Sequence, residues 1–290
     1  MKYLGCSIEE RYVNPLFEVF DGGEEFILSS YRDIEKPLTE IGVYFENGDP
    51  RGALSAALKV VGVETQLEER EIADEDWKFA YRRHFKTEKV SERIITVPEW
   101  EWEERMENGG EEVFIKLDPG MAFGTGKHET TKACLGFIDE IAATAPSLDS
   151  FLDMGCGSGI LSIAAAKLGF KEVEGFDVDP EAVEASRENA AKNAVDVKFR
   201  KFALGRSPSA AVDVKPRAKA QVVAANILGP LLIRFADEIT GYVGNTLIIS
   251  GILSGLYDEV LAAFTSRGFK EIKRVTLGEW TTGRLSRILP

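Results

Sequence analysis

The chain has 290 residues, 44% of them hydrophobic and 29% charged, with a net charge of −13. This describes a soluble globular protein of one large or two ordinary domains, with enough apolar residues for a sizeable core. No apolar run reaches the roughly 20 residues a membrane helix needs, and the N-terminus lacks a signal-peptide apolar region, so a cytoplasmic protein without membrane association is expected.

The charge is unevenly placed. Residues 1–120 carry 28 acidic and 15 basic side chains, and residues 121–290 carry 20 of each. An acidic front half would attract a basic partner and repel bare nucleic acid; the plainer alternative is a solvated acidic surface. The three cysteines, Cys6, Cys134 and Cys156, are too scattered for a disulfide framework or zinc cluster. Neither His84 nor His128 has a second His or Cys at metal-ligand spacing, and no metal is expected.

The first 70 residues read as a small α+β unit. Strands are predicted at Lys2–Cys6, Phe26–Ser30, Ile41–Phe45 and Val63–Leu67, and helices at Ile8–Phe20 and Ala53–Val60. That β-α-β-β-α-β order predicts a ferredoxin-like layer. Nothing in it looks catalytic, so it reads as a recognition module. Glu68 to Asp76 is an acidic connection. Trp77 to Phe85 reads as a short helix with aromatic anchors. Strands follow at Arg93–Val97 and Glu112–Leu117, with a glycine-broken acidic loop from Glu99 to Glu112 between them.

Asp118-Pro119-Gly120-Met121-Ala122-Phe123-Gly124-Thr125-Gly126-Lys127 invites a P-loop reading, because Gly-Lys ends a glycine-rich loop. It fails that pattern at Met121 and His128, where Gly and Ser or Thr are required. What remains is a loop capping a helix over about Glu129–Ala143.

Beyond residue 147, strand and helix alternate. Strands are predicted at Ser150–Asp153, Glu172–Asp177, Val195–Phe202, Gln221–Ala225 and Thr246–Ser250, with helices at 158–168, about 180–193, 230–239 and 255–267. A hairpin of Lys270–Thr276 and Trp280–Leu289 closes the chain. A basic loop at 203–219 reads as solvated, with RNA contact the less favoured alternative. Alternating βα units predict a mostly parallel, doubly wound sheet.

Asp153-Met154-Gly155-Cys156-Gly157-Ser158-Gly159 joins the first strand to its helix. Gly155 and Gly157 allow a sharp turn and close approach of a ligand. Cys156 reads as a small residue filling that turn. The dinucleotide fingerprint would need glycine at position 160, which is Ile160. The observed G-x-G-x-G is the form associated with S-adenosylmethionine (SAM) enzymes. Asp177 ends the second strand 22 residues after Gly155, near the distance at which an acid meets ribose hydroxyls. Asn226 ends the fourth strand and offers an acceptor oxygen and a donor amide towards an incoming amine; capping of the next helix is its plainer role. No general base stands out.

The run 118–126 with His128 and Thr130-Thr131 resembles the signature of the PrmA family of ribosomal protein methyltransferases. Asp153 to Leu161, Ala225-Asn226-Ile227-Leu228, Asp76-Trp77 with His84-Phe85, and Ser250-Gly251-Ile252-Leu253 resemble it too, so the likeness covers about residues 70–290. It implies a class I SAM-dependent methyltransferase: a seven-stranded, mostly parallel sheet with a terminal antiparallel hairpin, behind an N-terminal α+β domain. It implies SAM contacts at Thr131, Gly155, Asp177 and Asn226, with Gly157 in the same turn and Asn226 also in the catalytic role. The implied substrate is a basic large-subunit ribosomal protein, methylated on lysine and N-terminal amines. The expected division is recognition by residues 1–70, a linker helix and strands over 71–117, and methyl transfer by 118–290. A SAM methyltransferase with another protein or small-molecule substrate, and a ribosome-assembly module without catalysis, are the alternatives. Ile160 and the terminal hairpin disfavour an NAD dehydrogenase.

Overall fold

Strand β1 (Lys2–Ile8) turns Leu4, Cys6 and Ile8 into one core, because alternate side chains leave opposite faces of a strand. It pairs antiparallel with β3 (Thr39–Phe45), which adds Ile41, Val43 and Phe45 to that face. β2 (Ile27–Arg32) and β4 (Glu68–Glu71) flank them in the order β2-β3-β1-β4. Helix α1 (Val13–Val19) contributes Val13 and Leu16, and α2 (Arg51–Val60) contributes Leu54, Ala57 and Leu58. This is the expected ferredoxin-like arrangement. The computed structural model describes residues 2–20, 26–32, 37–45, 47–71, 86–105, 112–117, 128–205 and 219–288. They fall in two compact units, residues 1–84 and 85–290.

The fourth strand differs from expectation. Val63–Leu67 has no regular structure, and the strand is Glu68–Glu71 in what reads as an acidic connection. All four of its residues are exposed, so no apolar alternation marks it. It is held by its ladder to β1 and by charge pairs: Lys2 to Glu69 at 3.2 Å, Arg51 to Glu69 at 3.1 Å, and Arg70 to Glu40 at 2.6 Å. Val63 and Leu67 pack on the core without pairing as a strand. The first helix is also shorter than predicted, since Ile8 belongs to β1 and a 3-10 turn fills Glu10–Tyr12.

The second unit opens with a three-stranded sheet of β5 (Glu88–Lys89), β6 (Ile94–Val97) and β7 (Val113–Lys116). A 3-10 turn at Glu99–Glu101 and helix α3 (Trp102–Arg105) stand where a loop is predicted. The unit continues through α4 (Glu129–Thr144), β8 (Ser150–Met154), α5 (Ile160–Lys167), β9 (Glu172–Asp177), α6 (Pro180–Lys192), β10 (Lys198–Lys201) and β11 (Ala220–Asn226). After them come α7 (Gly229–Arg234), α8 (Ala236–Tyr242), β12 (Val243–Leu253), α9 (Tyr257–Thr265), β13 (Phe269–Leu277) and β14 (Trp280–Arg287). The helix predicted over 230–239 is two helices meeting at Phe235. The strand predicted at 246–250 is longer, with a register shift between Ile249 and Ile252.

The large sheet has the order β10-β9-β8-β11-β12-β14-β13. It is parallel through β12, and β14 inserts antiparallel before β13. This is the doubly wound class I methyltransferase sheet with its terminal hairpin. Both faces are buried. Phe151, Val222, Ala224 and Ile248 face one core, while Leu152, Val223, Ala225 and Ile249 face the other. From β8 the chain runs outward to β9 and β10, then returns to β11 on the opposite side. That reversal opens a crevice at the carboxyl ends of β8 and β11, where doubly wound sheets bind ligands.

Of the stretch expected to link the domains, 71–117, the described residues 86–105 and 112–117 belong to the second unit. Asp139 on α4 accepts from Arg93 Nε at 2.7 Å and Ser91 Oγ at 2.7 Å. Asn193, after α6, brackets β7: its Oδ1 accepts from Lys116 N at 2.8 Å, and its Nδ2 donates to Lys116 O at 2.7 Å. Asn193→Ala strips both bonds, with an expected loss of about 1–3 kcal/mol for the unsatisfied backbone groups. A chemical denaturation midpoint equal to that of the parent chain would contradict this.

Candidate active site

The site begins where β8 ends. Gly155 has φ +73, Gly157 φ +50 and Gly159 φ +80, so the turn runs through left-handed conformations that side chains disfavour. A Cβ on Gly155 would lie 2.5 Å from Ile227 Cγ2, and one on Gly159 would lie 2.9 Å from both Phe199 Cζ and Ser186 Cβ. Gly155 N and Cys156 N both donate to Phe176 O, at 2.9 and 3.0 Å, tying the turn to β9.

Asp177 follows Phe176. Its Oδ2 accepts from Gly157 N at 2.9 Å and its Oδ1 from Asp179 N at 3.1 Å. The half-buried carboxylate is thereby aimed at the turn, and each oxygen keeps a further lone pair for a hydroxyl donor. Gly157 contributes by orienting Asp177, because its own N–H is already committed. Asp179 caps α6 by accepting from Glu181 N at 2.9 Å.

On the other side of the turn lie Asn226 and Thr131. Ala225 pairs with Met154, so Asn226 is the β11 residue beside Gly155. Asn226 Oδ1 is buried with no hydrogen-bond partner among the described residues. Thr131, in the first turn of α4, is 1% exposed, and its Oγ1 is likewise buried without a partner among them. The start of α4 is held in place: His128 Nδ1 accepts from Thr130 N at 3.3 Å, and Ser250 Oγ donates to Thr130 O at 3.4 Å. Ser250 is the register partner of Asn226 and lies 2.6 Å from Thr282 Oγ1. Gly155, Gly157, Asp177, Asn226 and Thr131 are thus gathered at one edge of the sheet. Two buried polar atoms left without partners, beside a turn with no room for a Cβ, suit a polar ligand that completes their bonds. The loop 118–127 and the helix predicted at 77–85 lie outside the described residues, as do residues 206–218 of the basic loop.

Asp153 has no role in the sequence reading beyond its place in the motif. It is fully buried, and its Oδ2 accepts from Ser162 Oγ at 2.8 Å and Ser162 N at 3.2 Å. Its Oδ1 has no partner among the described residues. Burial pushes its carboxyl up to about 7, the Asp177 charge adds to the rise, and the Ser162 bonds oppose it. The available signal was an acid at an otherwise apolar strand end. Burial also pushes the Cys156 thiol far up, so it is a space-filling residue and no nucleophile.

Between the ordinary value of 3.8 and the buried value of about 7, the folded chain holds a proton on Asp153 that the unfolded chain has lost. This group's contribution to stability therefore falls as pH rises across that window, and is flat above it. Asp153→Asn cannot ionise, so its melting temperature relative to the parent chain is expected to be more favourable at about pH 8 than at about pH 5. Parallel melting curves across that range would refute the buried-acid assignment.

The family model for ribosomal protein L11 methyltransferase (PrmA) matches residues 7–287. A ribosomal protein L11 methyltransferase of Herpetosiphon aurantiacus is 36% identical, covering 96% of both chains. That of Geobacter sulfurreducens is 35% identical, covering 96% of this chain and 87% of its own. The crystal structure of a ribosomal protein L11 methylase from Lactobacillus delbrueckii subsp. bulgaricus superposes with a TM-score of 0.60 at 28% identity, over 71% of this chain and all of that one. The strand order, the glycine turn with its aspartate and the near full-length match agree: this chain belongs to the PrmA family of ribosomal protein L11 methyltransferases.

Proposed function

We propose that this protein transfers methyl groups from SAM to lysine and N-terminal amines of ribosomal protein L11. The observation that carries the site assignment is the pair of partnerless buried atoms, Thr131 Oγ1 and Asn226 Oδ1, beside the glycine turn. Asp177, oriented by Gly157, accepts from the ribose hydroxyls of the cofactor. Gly155 makes the turn in a left-handed conformation with Ile227 packed against it, which leaves no room for a side chain. Thr131 Oγ1 supplies a hydroxyl to the bound cofactor.

When bound, SAM would supply an electrophilic methyl carbon on a sulfonium, whose C–S bond would break, releasing a neutral thioether, as a neutral amine formed the N–C bond in line and then gave up a proton. The chain's task is to deliver that amine aligned and deprotonated. Asn226 Oδ1 can accept an N–H of the amine and so point its lone pair into the crevice. Orientation of this kind is worth up to roughly 7–11 kcal/mol. A lysine ammonium has a reference pKa of about 10.4, and withdrawal from water lowers it.

Recognition is assigned to residues 1–70, linkage to 71–117 and chemistry to 118–290. The acidic surplus of residues 1–120 suits a basic ribosomal protein. Action on that free protein needs no direct nucleic-acid contact and places the enzyme in the cytoplasm. No helix among the described residues is long and apolar enough to cross a membrane.

Radiolabelled SAM with purified ribosomal protein L11 tests the activity, and an unlabelled band would defeat it. Asp177→Ala is expected to weaken SAM binding by about 1–3 kcal/mol, the worth of charged hydrogen bonds; calorimetry showing the same affinity would remove Asp177 from the site. Asn226→Ala is expected to lower kcat on the protein substrate more than it weakens SAM binding, by about tenfold or more if its bond is made to the reacting amine. Equal loss in both would make Asn226 a cofactor contact alone.

A further inference from the structure

Scattered exposed leucines are ordinary on a protein surface, but those at the mouth of this crevice are ordered by the sheet. Leu253 ends β12 and pairs with Trp280 at the start of β14, and Trp280 pairs on its other side with Leu277 at the end of β13. These three residues therefore stand abreast on adjacent strands, at the edge where β11 delivers Asn226. Leu228 follows Asn226 by two residues. Its segment lies against the end of β12, since a Cβ on Gly251 would meet Ile227 O at 2.5 Å. Leu228 is 63% exposed, Leu253 51% and Leu277 36%.

This rim is held rigidly. Glu279 O accepts from Ser254 N at 2.8 Å and from Ser254 Oγ at 3.0 Å. Ser254 Oγ is also 2.9 Å from Thr281 Oγ1, and Thr276 Oγ1 is 2.9 Å from the same atom. The Trp280 ring meets the His128 ring edge-on, with centroids 5.2 Å apart. Two exposed carboxylates complete the edge. Glu279 lies in the hairpin turn, and Glu129 Cγ lies 3.9 Å from where a Cβ of Gly278 would be.

We propose that Leu228, Leu253, Leu277 and Trp280 form the seat for the polypeptide segment that bears the acceptor amine. This rests on the methyltransferase reading above and adds what the second unit itself recognises. The leucines and the indole take up the aliphatic stem of the target residue and an apolar side chain next to it, so that the amine reaches Asn226 out of water. Glu129 and Glu279 face further cationic groups of the same segment. A preformed apolar surface bordering the reacting position binds with little ordering cost, and its continuity with Asn226 makes the substrate segment its occupant.

The test is steady-state methylation of ribosomal protein L11 by the full-length Leu228→Ser/Leu253→Ser enzyme, with SAM affinity and melting temperature measured alongside. The substitutions are at exposed positions, so both controls are expected to match the parent enzyme. KM for the protein substrate is expected to rise about tenfold or more, the scale of losing a buried leucine contact. Leu253→Met is expected to keep KM near the parent value. Glu129→Gln/Glu279→Gln is expected to raise KM at low salt and to lose that effect at high salt. Methylation by the parent enzyme with an unchanged KM for the leucine double variant overturns the rim alone. No methylation by the parent enzyme overturns the underlying reading, and the rim with it.

Discussion

The carbonyl oxygen of Phe176 accepts the N–H groups of both Gly155 and Cys156, and much of the site depends on that shared acceptor. It draws the turn after β8 onto the end of β9. Gly157 is then placed to donate to Asp177, and Asp177 is fixed one residue beyond the carbonyl that holds the turn. A side chain at Gly155 would push against Ile227 and break this arrangement from the β11 side. The three strands β9, β8 and β11 are thus locked at their carboxyl ends by backbone bonds and by the absence of Cβ atoms. Long polar side chains play little part in the lock.

What the lock leaves over is equally informative. Buried polar atoms are nearly always bonded, yet Thr131 Oγ1 and Asn226 Oδ1 are not among the described residues. Both flank the turn, and Asp153 Oδ1 beneath it is also without a partner among them, whereas Ser250 bonds with Thr282 and Thr130, and His128 with Thr130. These unsatisfied atoms are what the proposed cofactor and amine contacts rest on.

The parts legible in the sequence are those whose physics is local. Ile160 in place of glycine acts within a few bonds of its own backbone, and the spacing from Gly155 to Asp177 spans a single βα unit. The alternating βα pattern predicts the sheet because each buried strand and helix must carry its own apolar residues. The failures share the opposite character. β4 is fully exposed and made by pairing with β1 and by ion pairs to Lys2, Arg51 and Glu40, so its charged residues read as a connection. The extension of β12 past its bulge depends on β14, a strand from 30 residues later in the chain. Within the stretch read as a linker, 71–117, the residues that hold β6 and β7, Asp139 and Asn193, come from distant helices and leave no local mark. Asn226 was legible by position at a strand tip, but its unsatisfied oxygen was not, since that depends on what surrounds it.

The two acids at the turn show how neighbouring groups of one kind come to differ. Asp153 and Asp177 lie at the ends of adjacent parallel strands, and the Asp177 charge adds to the cost of charging Asp153. Asp153 points into the core, where Ser162 is its only donor among the described residues, and burial favours its neutral form. Asp177 is half-buried, with a backbone N–H on each oxygen. Asp177 is the acid exposed towards the turn, while Asp153 stays with the packing beneath it. Burial in its neutral form and the two Ser162 bonds account for an acid inside a strand end beside a well-ordered turn.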